Sequence, residues 1–226
     1  MSTSDSSVSE TSEEQWSRSY TLIDSLLHSH TSPLSSFQKK LKKAVAVLEN
    51  TLRLYLPDRV THTHTLTHTL THDDGNGTSV SVSDGKSPVF VSFNGGKDAT
   101  VVLHLLRYVL HKHNLTALLG TAIKIIYFDD PHQFPEIEEF IRHTLTALRV
   151  EPVTFKCSFK EGIERAIDEY GLKAVLMGVR MGDPYTDDAE HFHPSTANYP
   201  AFMRVYPVLQ WEYADGKTPA DTSICI

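Results

Sequence analysis

The chain has 226 residues, 40% of them hydrophobic, and a formal net charge of −7 at neutral pH. That length and apolar content suffice for one α/β unit with a sizeable core, and the acidic balance argues against nonspecific nucleic-acid binding, which relies on basic surface. The two cysteines, Cys157 and Cys225, stand in no C-x-x-C arrangement, which excludes a disulfide framework or a cysteine zinc site and fits a reducing compartment.

Residues 1–15, MSTSDSSVSETSEEQ, are polar and acidic and contain no Arg. They lack the apolar stretch of a signal peptide and the basic face of a transit peptide, so a disordered tail on a cytoplasmic chain is expected. No apolar run reaches transmembrane length, so no membrane partner is expected. Residues 16–58 read as a helical segment that packs on the core. Within it, Leu34, Phe37, Leu41, Val45, Leu48, Leu52 and Tyr55 recur every three or four residues, which predicts a helix over 33–58. Lys39, Lys40, Lys42 and Lys43 flank that stripe and read as a solvated face. Residues 59–87 read as a low-complexity linker, with THTHTLTHTLTH at 61–72. Alternation would put His62, His64, His68 and His72 on one face of a strand, a possible metal set. No second shell is visible around them, and a repeat expansion in a linker is the preferred reading.

From residue 88 to 213 strands and helices alternate. PVFVSFNGGKD, residues 88–98, is a β-branched and aromatic run, a glycine turn and then a long helical pattern carrying Val102, Leu105, Leu106, Val109 and Leu110. Gly95 and Gly96 let the backbone take positive φ and lie close to a ligand. An anion there would meet successive N–H groups and the positive end of the helix dipole. Lys97 adds a point charge, and Asp98 can hold water or a divalent ion. The segment does not fit G-x-x-x-x-G-K-[ST], because Asp98 stands where the metal-binding hydroxyl would be. Asn94-Gly95 is also a hairpin signal, but the following apolar pattern is too long for a strand.

A second strand is expected over 122–128, then Phe134-Pro135-Glu136 opening a helix with Ile137, Phe140, Ile141 and Leu148 on its apolar face. A third strand is expected over 150–157. Ser158 and Glu161 form a capping box for a helix that Gly171 ends. Strands four and five are expected over 173–179 and 204–211. The pattern implies an α/β fold, a Rossmann-like parallel sheet of about five strands with right-handed crossovers, flanked by helices and preceded by the helical extension. Taken alone, Asp183-Pro184 could be a simple turn and Arg180 a surface ion pair. Their place just past a strand's carboxyl end favours a ligand role.

Four segments together carry a resemblance: SFNGGKDATVVLHL, YFDDPHQFPEIEEFI (127–141), MGVRMGDPYTDD (177–188) and FMRVYPVLQWEY (202–213). In order and spacing they resemble the adenine-nucleotide α-hydrolase superfamily, and within it the eukaryotic FAD synthases, which are similar to the PAPS reductase fold. The resemblance covers roughly residues 18–57 and 88–213. It implies adenylyl transfer from ATP to FMN, with ATP and FMN as small-molecule substrates and Mg2+ as cofactor. It further implies that Asn94, Lys97, Asp98 and Arg180 do the catalytic work, with Asp98 near the metal, directly or through water. Ser92, Phe93, Gly95, Gly96, Asp129, Phe134, Glu136, Gly178, Asp183, Arg204 and Trp211 are the expected substrate-binding positions.

The sequence departs from the resemblance in two places. Ala99 replaces the serine or cysteine usual after the aspartate. After Tyr213 the chain reads ADGKTPADTSICI, where related enzymes continue with a section that helps hold the flavin. Residues 214–226 are therefore expected to be an irregular, divergent tail. That departure keeps open a nucleotide-binding but catalytically impaired protein. A PAPS reductase-type reaction is disfavoured, because Cys225 in SICI lacks the E-C-G-x-H context. The sequence leaves the oligomeric state open, with a monomer as first expectation.

Overall fold

A computed structural model of the chain describes residues 12–29, 34–59, 86–184, 186–212 and 215. The histidine and threonine run at 61–72 and nearly all of the expected tail lie outside the described residues.

Helix α1 (Ser12–His28) begins ahead of the boundary drawn at residue 16, and helix α2 (Ser36–Tyr55) follows. Ser35 starts α2 with a capping box: its Oγ accepts from Gln38 N at 3.1 Å, and Gln38 Oε1 accepts from Ser35 N at 2.8 Å. The expected stripe is buried at Leu41, Val45, Leu48 and Leu52, and it joins the main core. Lys39, Lys42 and Lys43 are exposed, as a solvated face requires. Lys40 differs, since its Nζ lies 2.9 Å from Glu212 Oε1 and 2.7 Å from Asp215 Oδ2, tying α2 to the last described residues.

The α/β unit then runs β1 (Val89–Ser92), α3 (Lys97–Lys112), β2 (Ile123–Phe128), α4 (Pro135–Leu148), β3 (Val153–Phe155), α5 (Phe159–Tyr170), β4 (Ala174–Leu176), β5 (Phe192–Pro194) and β6 (Met203–Val205). The strands form one sheet in the order β3-β2-β1-β4-β6-β5. Every pairing is parallel except β5 with β6. Val89, Val91 and Phe93 alternate with Phe90, so β1 serves two cores. One contains α2, α3 and the buried face of α4, and the other contains α5 with Val175 and Phe202. Burial on both faces is the condition under which a parallel sheet is stable.

Two expectations about strands are corrected. The sheet has six strands rather than about five, because the three-residue β5 adds an antiparallel edge. The fifth expected strand, 204–211, is paired only as Met203–Val205. Pro207 has no N–H to give a ladder, and the chain turns there, with Leu209 N donating to Tyr206 O and Trp211 N to Val208 O. The third and fourth strands are likewise shorter than expected, at Val153–Phe155 and Ala174–Leu176.

Candidate functional site

Sequential strands run outward from β1 through β2 to β3, and the chain then crosses to the other side of β1 to lay down β4. The strand order therefore reverses between β1 and β4. At the carboxyl ends of those two strands the crossovers diverge and leave a crevice, where open α/β sheets bind ligands. Residues 93–98 and 177–183 meet at this point.

Gly95 turns the chain out of β1 with φ +74°. A Cβ there would lie 3.0 Å from Ile137 Cγ2 and from Ile141 Cγ1, so the glycine also lets α4 pack on the turn. This contact brings the Phe134-Pro135-Glu136 segment beside the first loop. Asn94 Oδ1 accepts from Gly96 N at 3.0 Å, so Asn94 shapes the turn itself. Gly96 is the N-cap of α3 and supplies no side-chain acceptor. Helices α2 and α5 are closed by serine capping boxes, whereas α3 and α4 begin without a side-chain cap. The first-turn donors of α3 thus meet the crevice with no protein side chain to cap them, which suits an anion.

The second loop presses directly on that helix start. A Cβ on Gly178 would fall 2.4 Å from Ala99 N and 2.5 Å from Asp98 C, distances that no side chain can occupy. Arg180 Nε lies 3.0 Å from Asp98 Oδ2, and both side chains are mostly buried, which joins the two loops across the reversal. Asp183 folds the loop back on itself: its Oδ2 accepts from Arg180 N at 2.7 Å. Thr186, buried, donates from Oγ1 to Asp183 O at 2.6 Å and accepts from Gly182 N at 3.1 Å. Met181 N donates to Leu209 O at 2.6 Å and anchors the loop to the segment after β6.

The expected site residues fall into three groups. Asn94, Gly95, Gly96, Lys97, Asp98, Gly178, Arg180 and Asp183 converge at the reversal, and Ser92 ends the strand that leads into it. Asp129 and Phe134 stand on the neighbouring loop, and Glu136 in the first turn of α4 that follows it. Asp129 Oδ2 lies 3.0 Å from Lys156 Nζ, and Phe134 is 70% exposed for so large an apolar side chain. The Phe93 side chain is buried in the core near Phe140, and Trp211 is buried against Phe37, with ring centroids 5.3 Å apart. Arg204 sits within β6, with Nη2 donating to Pro194 O at 2.8 Å on the edge strand. Packing or a structural hydrogen bond thus holds each of these three side chains.

Thr186 and Lys156 did not stand out in the sequence. A threonine after Asp-Pro-Tyr carries a turn signal that could have marked the first, and nothing in the sequence marks the second. Among the described residues no group of three or more His, Cys, Asp or Glu side chains is arranged to hold a metal. Asp98, paired with Arg180 at the uncapped start of α3, offers a single carboxylate, which suits Mg2+ only where substrate phosphates complete the coordination.

Residues 88–161 match the phosphoadenosine phosphosulfate reductase domain. That match covers the first half of the α/β unit, from β1 to the first turn of α5. The chain is similar to proteins named probable FAD synthase, at 30% identity over 129 residues in Schizosaccharomyces pombe and 32% over 131 residues in Caenorhabditis elegans. These alignments take in 55% and 56% of this chain but only 48% and 24% of the respective relatives, so the chain spans half or less of their length. Its fold is shared with Candida glabrata FMN adenylyltransferase, solved with FAD and inorganic pyrophosphate, at TM-score 0.65 and 21% identity over 90% of this chain and 63% of that one. It is shared also with yeast FAD synthetase, solved with FAD, at TM-score 0.59 and 20% identity over 90% of this chain and 65% of that one.

Proposed function

We propose that this PAPS reductase-like chain transfers the AMP moiety of ATP to FMN, giving FAD and pyrophosphate. The observation that carries the reading is the meeting of the uncapped α3 start with the Arg180 loop at the strand reversal, held together by Gly178 and the Asp98–Arg180 pair. The similarity to FAD synthases supports the same reaction.

In that reaction an FMN phosphate oxygen attacks the α-phosphorus of ATP, and the bond from that phosphorus to the bridging β-oxygen breaks, releasing pyrophosphate. Such a transfer depends on positioning and charge neutralisation more than on a protein nucleophile. The α3 N–H groups and Lys97 bind the β- and γ-phosphates, and Arg180 neutralises charge from the opposite loop. Asp98 would hold Mg2+, which when bound withdraws charge from the leaving pyrophosphate. Asp183 keeps the Arg180 loop closed, and exposed Phe134 offers an apolar surface at the crevice rim. Among the described residues no helix is long and apolar enough to cross a membrane. Cys157 is a free thiol, and a cytoplasmic setting accords with it.

The test is FAD formation from FMN, ATP and Mg2+, followed by chromatography on a cooperatively melting sample. FAD should appear well above a Lys97→Ala control, whose turnover should fall by at least 100-fold, about 2.7 kcal/mol in barrier. Near-wild-type FAD formation by Lys97→Ala would remove Lys97 from the site. Absence of FAD from a folded, ATP-binding sample would favour a binding protein without this catalysis.

A further inference from the structure

Residues 181–190 form an irregular segment between β4 and β5, and among its described residues Thr186 alone is buried, at 2% exposure. Burial alone would call for an apolar side chain there. A buried hydroxyl is tolerated where its hydrogen bonds are made. Thr186 makes them through one atom, since Oγ1 donates to Asp183 O at 2.6 Å and accepts from Gly182 N at 3.1 Å. Those two backbone groups bracket Gly182 and Asp183, so one hydroxyl fixes both residues between them.

The bracketed pair needs such a brace. Gly182 has φ +92°, and nothing lies within 4 Å of the place its Cβ would take, so conformation rather than space requires a glycine. An exposed glycine keeps one conformation only under outside restraint, because its unrestrained backbone has the most freedom to lose. Asp183 passes the restraint on. Its Oδ2 accepts from Arg180 N, its own N donates to Arg180 O at 3.1 Å, and Arg180 Nε stands 3.0 Å from Asp98 Oδ2. The Met181 N to Leu209 O hydrogen bond pins one point of the loop. A single pin leaves rotation about it open, and the Thr186 brace stops that rotation.

We infer that Thr186 is a positioning residue of the ATP site. It acts through other residues: its hydroxyl holds Gly182 and Asp183, Asp183 holds the Arg180 backbone, and the Arg180 side chain is thereby set against the start of α3. The inference rests on the reading of the crevice as the place where ATP binds. It adds to that reading a residue that acts at one remove, and it assigns the effect to the hydroxyl rather than to the volume of the side chain.

Two substitutions separate hydroxyl from volume. Thr186→Val keeps the shape and removes the hydroxyl, and Thr186→Ser keeps the hydroxyl and removes a methyl group. Equilibrium dialysis of ATP with Mg2+ reads the site without requiring turnover. Thr186→Val should bind ATP at least about fivefold more weakly than the wild type, the scale of one net hydrogen bond, and Thr186→Ser should stay within about twofold of it. A side chain that only filled space would give the reverse order. In an Arg180→Gln background Thr186→Val should cause no further loss, because the hydroxyl acts through Arg180. Gly182→Ala gives a second handle that does not depend on how well Thr186→Val folds. Its position is exposed, so the core is untouched, while φ +92° strains an alanine, and ATP binding should weaken at least about threefold. Wild-type affinity in Thr186→Val would overturn the inference, as would unchanged binding in Gly182→Ala or a loss that persists in the Arg180→Gln background. A wild-type chain that binds ATP yet makes no FAD removes the transferase reading alone and leaves these comparisons to decide the inference. One that binds no ATP removes both.

Discussion

Gly178 shows how far a single residue can be fixed by backbone proximity. Its missing Cβ is the space in which the β4 loop meets the Ala99 N–H and the Asp98 carbonyl group. Neither neighbour is the end of a flexible side chain, so neither can swing aside. Gly178→Ala should therefore force the two loops apart, lowering stability by about 2–3 kcal/mol and abolishing ATP binding; denaturant unfolding and equilibrium dialysis measure the two effects. Wild-type ATP affinity in Gly178→Ala would mean that the loops do not need to touch. In the sequence Gly178 stood out through its motif, but the reason for a glycine there did not, since the clash is with residues about eighty positions earlier. Asn94 was legible as part of the turn. Its hydrogen bond to Gly96 N, which shapes that turn from within, depends on a side-chain rotamer that spacing does not encode.

Elements were legible where local rules decide them. Ser158 and Glu161 cap α5 as their spacing demands, and Gly171 ends it at φ +70°. The short strands were not, because pairing partners rather than propensity set their length. Phe192–Pro194 is a strand only through its antiparallel register with Met203–Val205. The contact of α1 with α3 was equally hidden, and it carries a pH dependence. His104 packs against Trp16 with ring centroids 4.4 Å apart, and burial, aided by the Arg107 charge, lowers its pKa to about 4. The unfolded chain binds a proton there near pH 6.5 and the folded chain does not, so stability is full above 6.5 and falls as the pH drops towards 4. The loss should reach about 3 kcal/mol at pH 4 relative to pH 7. Denaturant unfolding of the wild type and of His104→Gln across that range isolates it from the carboxylates, which titrate in both proteins. Parallel slopes in the two proteins would remove His104 as the cause.

At the scale of the whole molecule, the sheet is two halves joined between β1 and β4, and the crevice exists because the chain reverses there. Backbone pairing of Val89–Val91 with Ala174–Leu176 joins the strands. Beyond their ends, the junction rests on the Gly178 contact and the Asp98–Arg180 pair. An exposed ion pair contributes about 0–1 kcal/mol, but this one is mostly shielded from water and also sets the loop that Asp183 closes. A double-mutant cycle with Asp98→Asn and Arg180→Gln should therefore return a coupling of about 1–2 kcal/mol in the unfolding free energy. The double variant should lose less stability than the sum of the two single variants, since each single change leaves one shielded charge without the other. A coupling near zero would mean that Gly178 alone holds the two halves of the site in register, and that Asp98 and Arg180 are free to serve the ligand instead of each other.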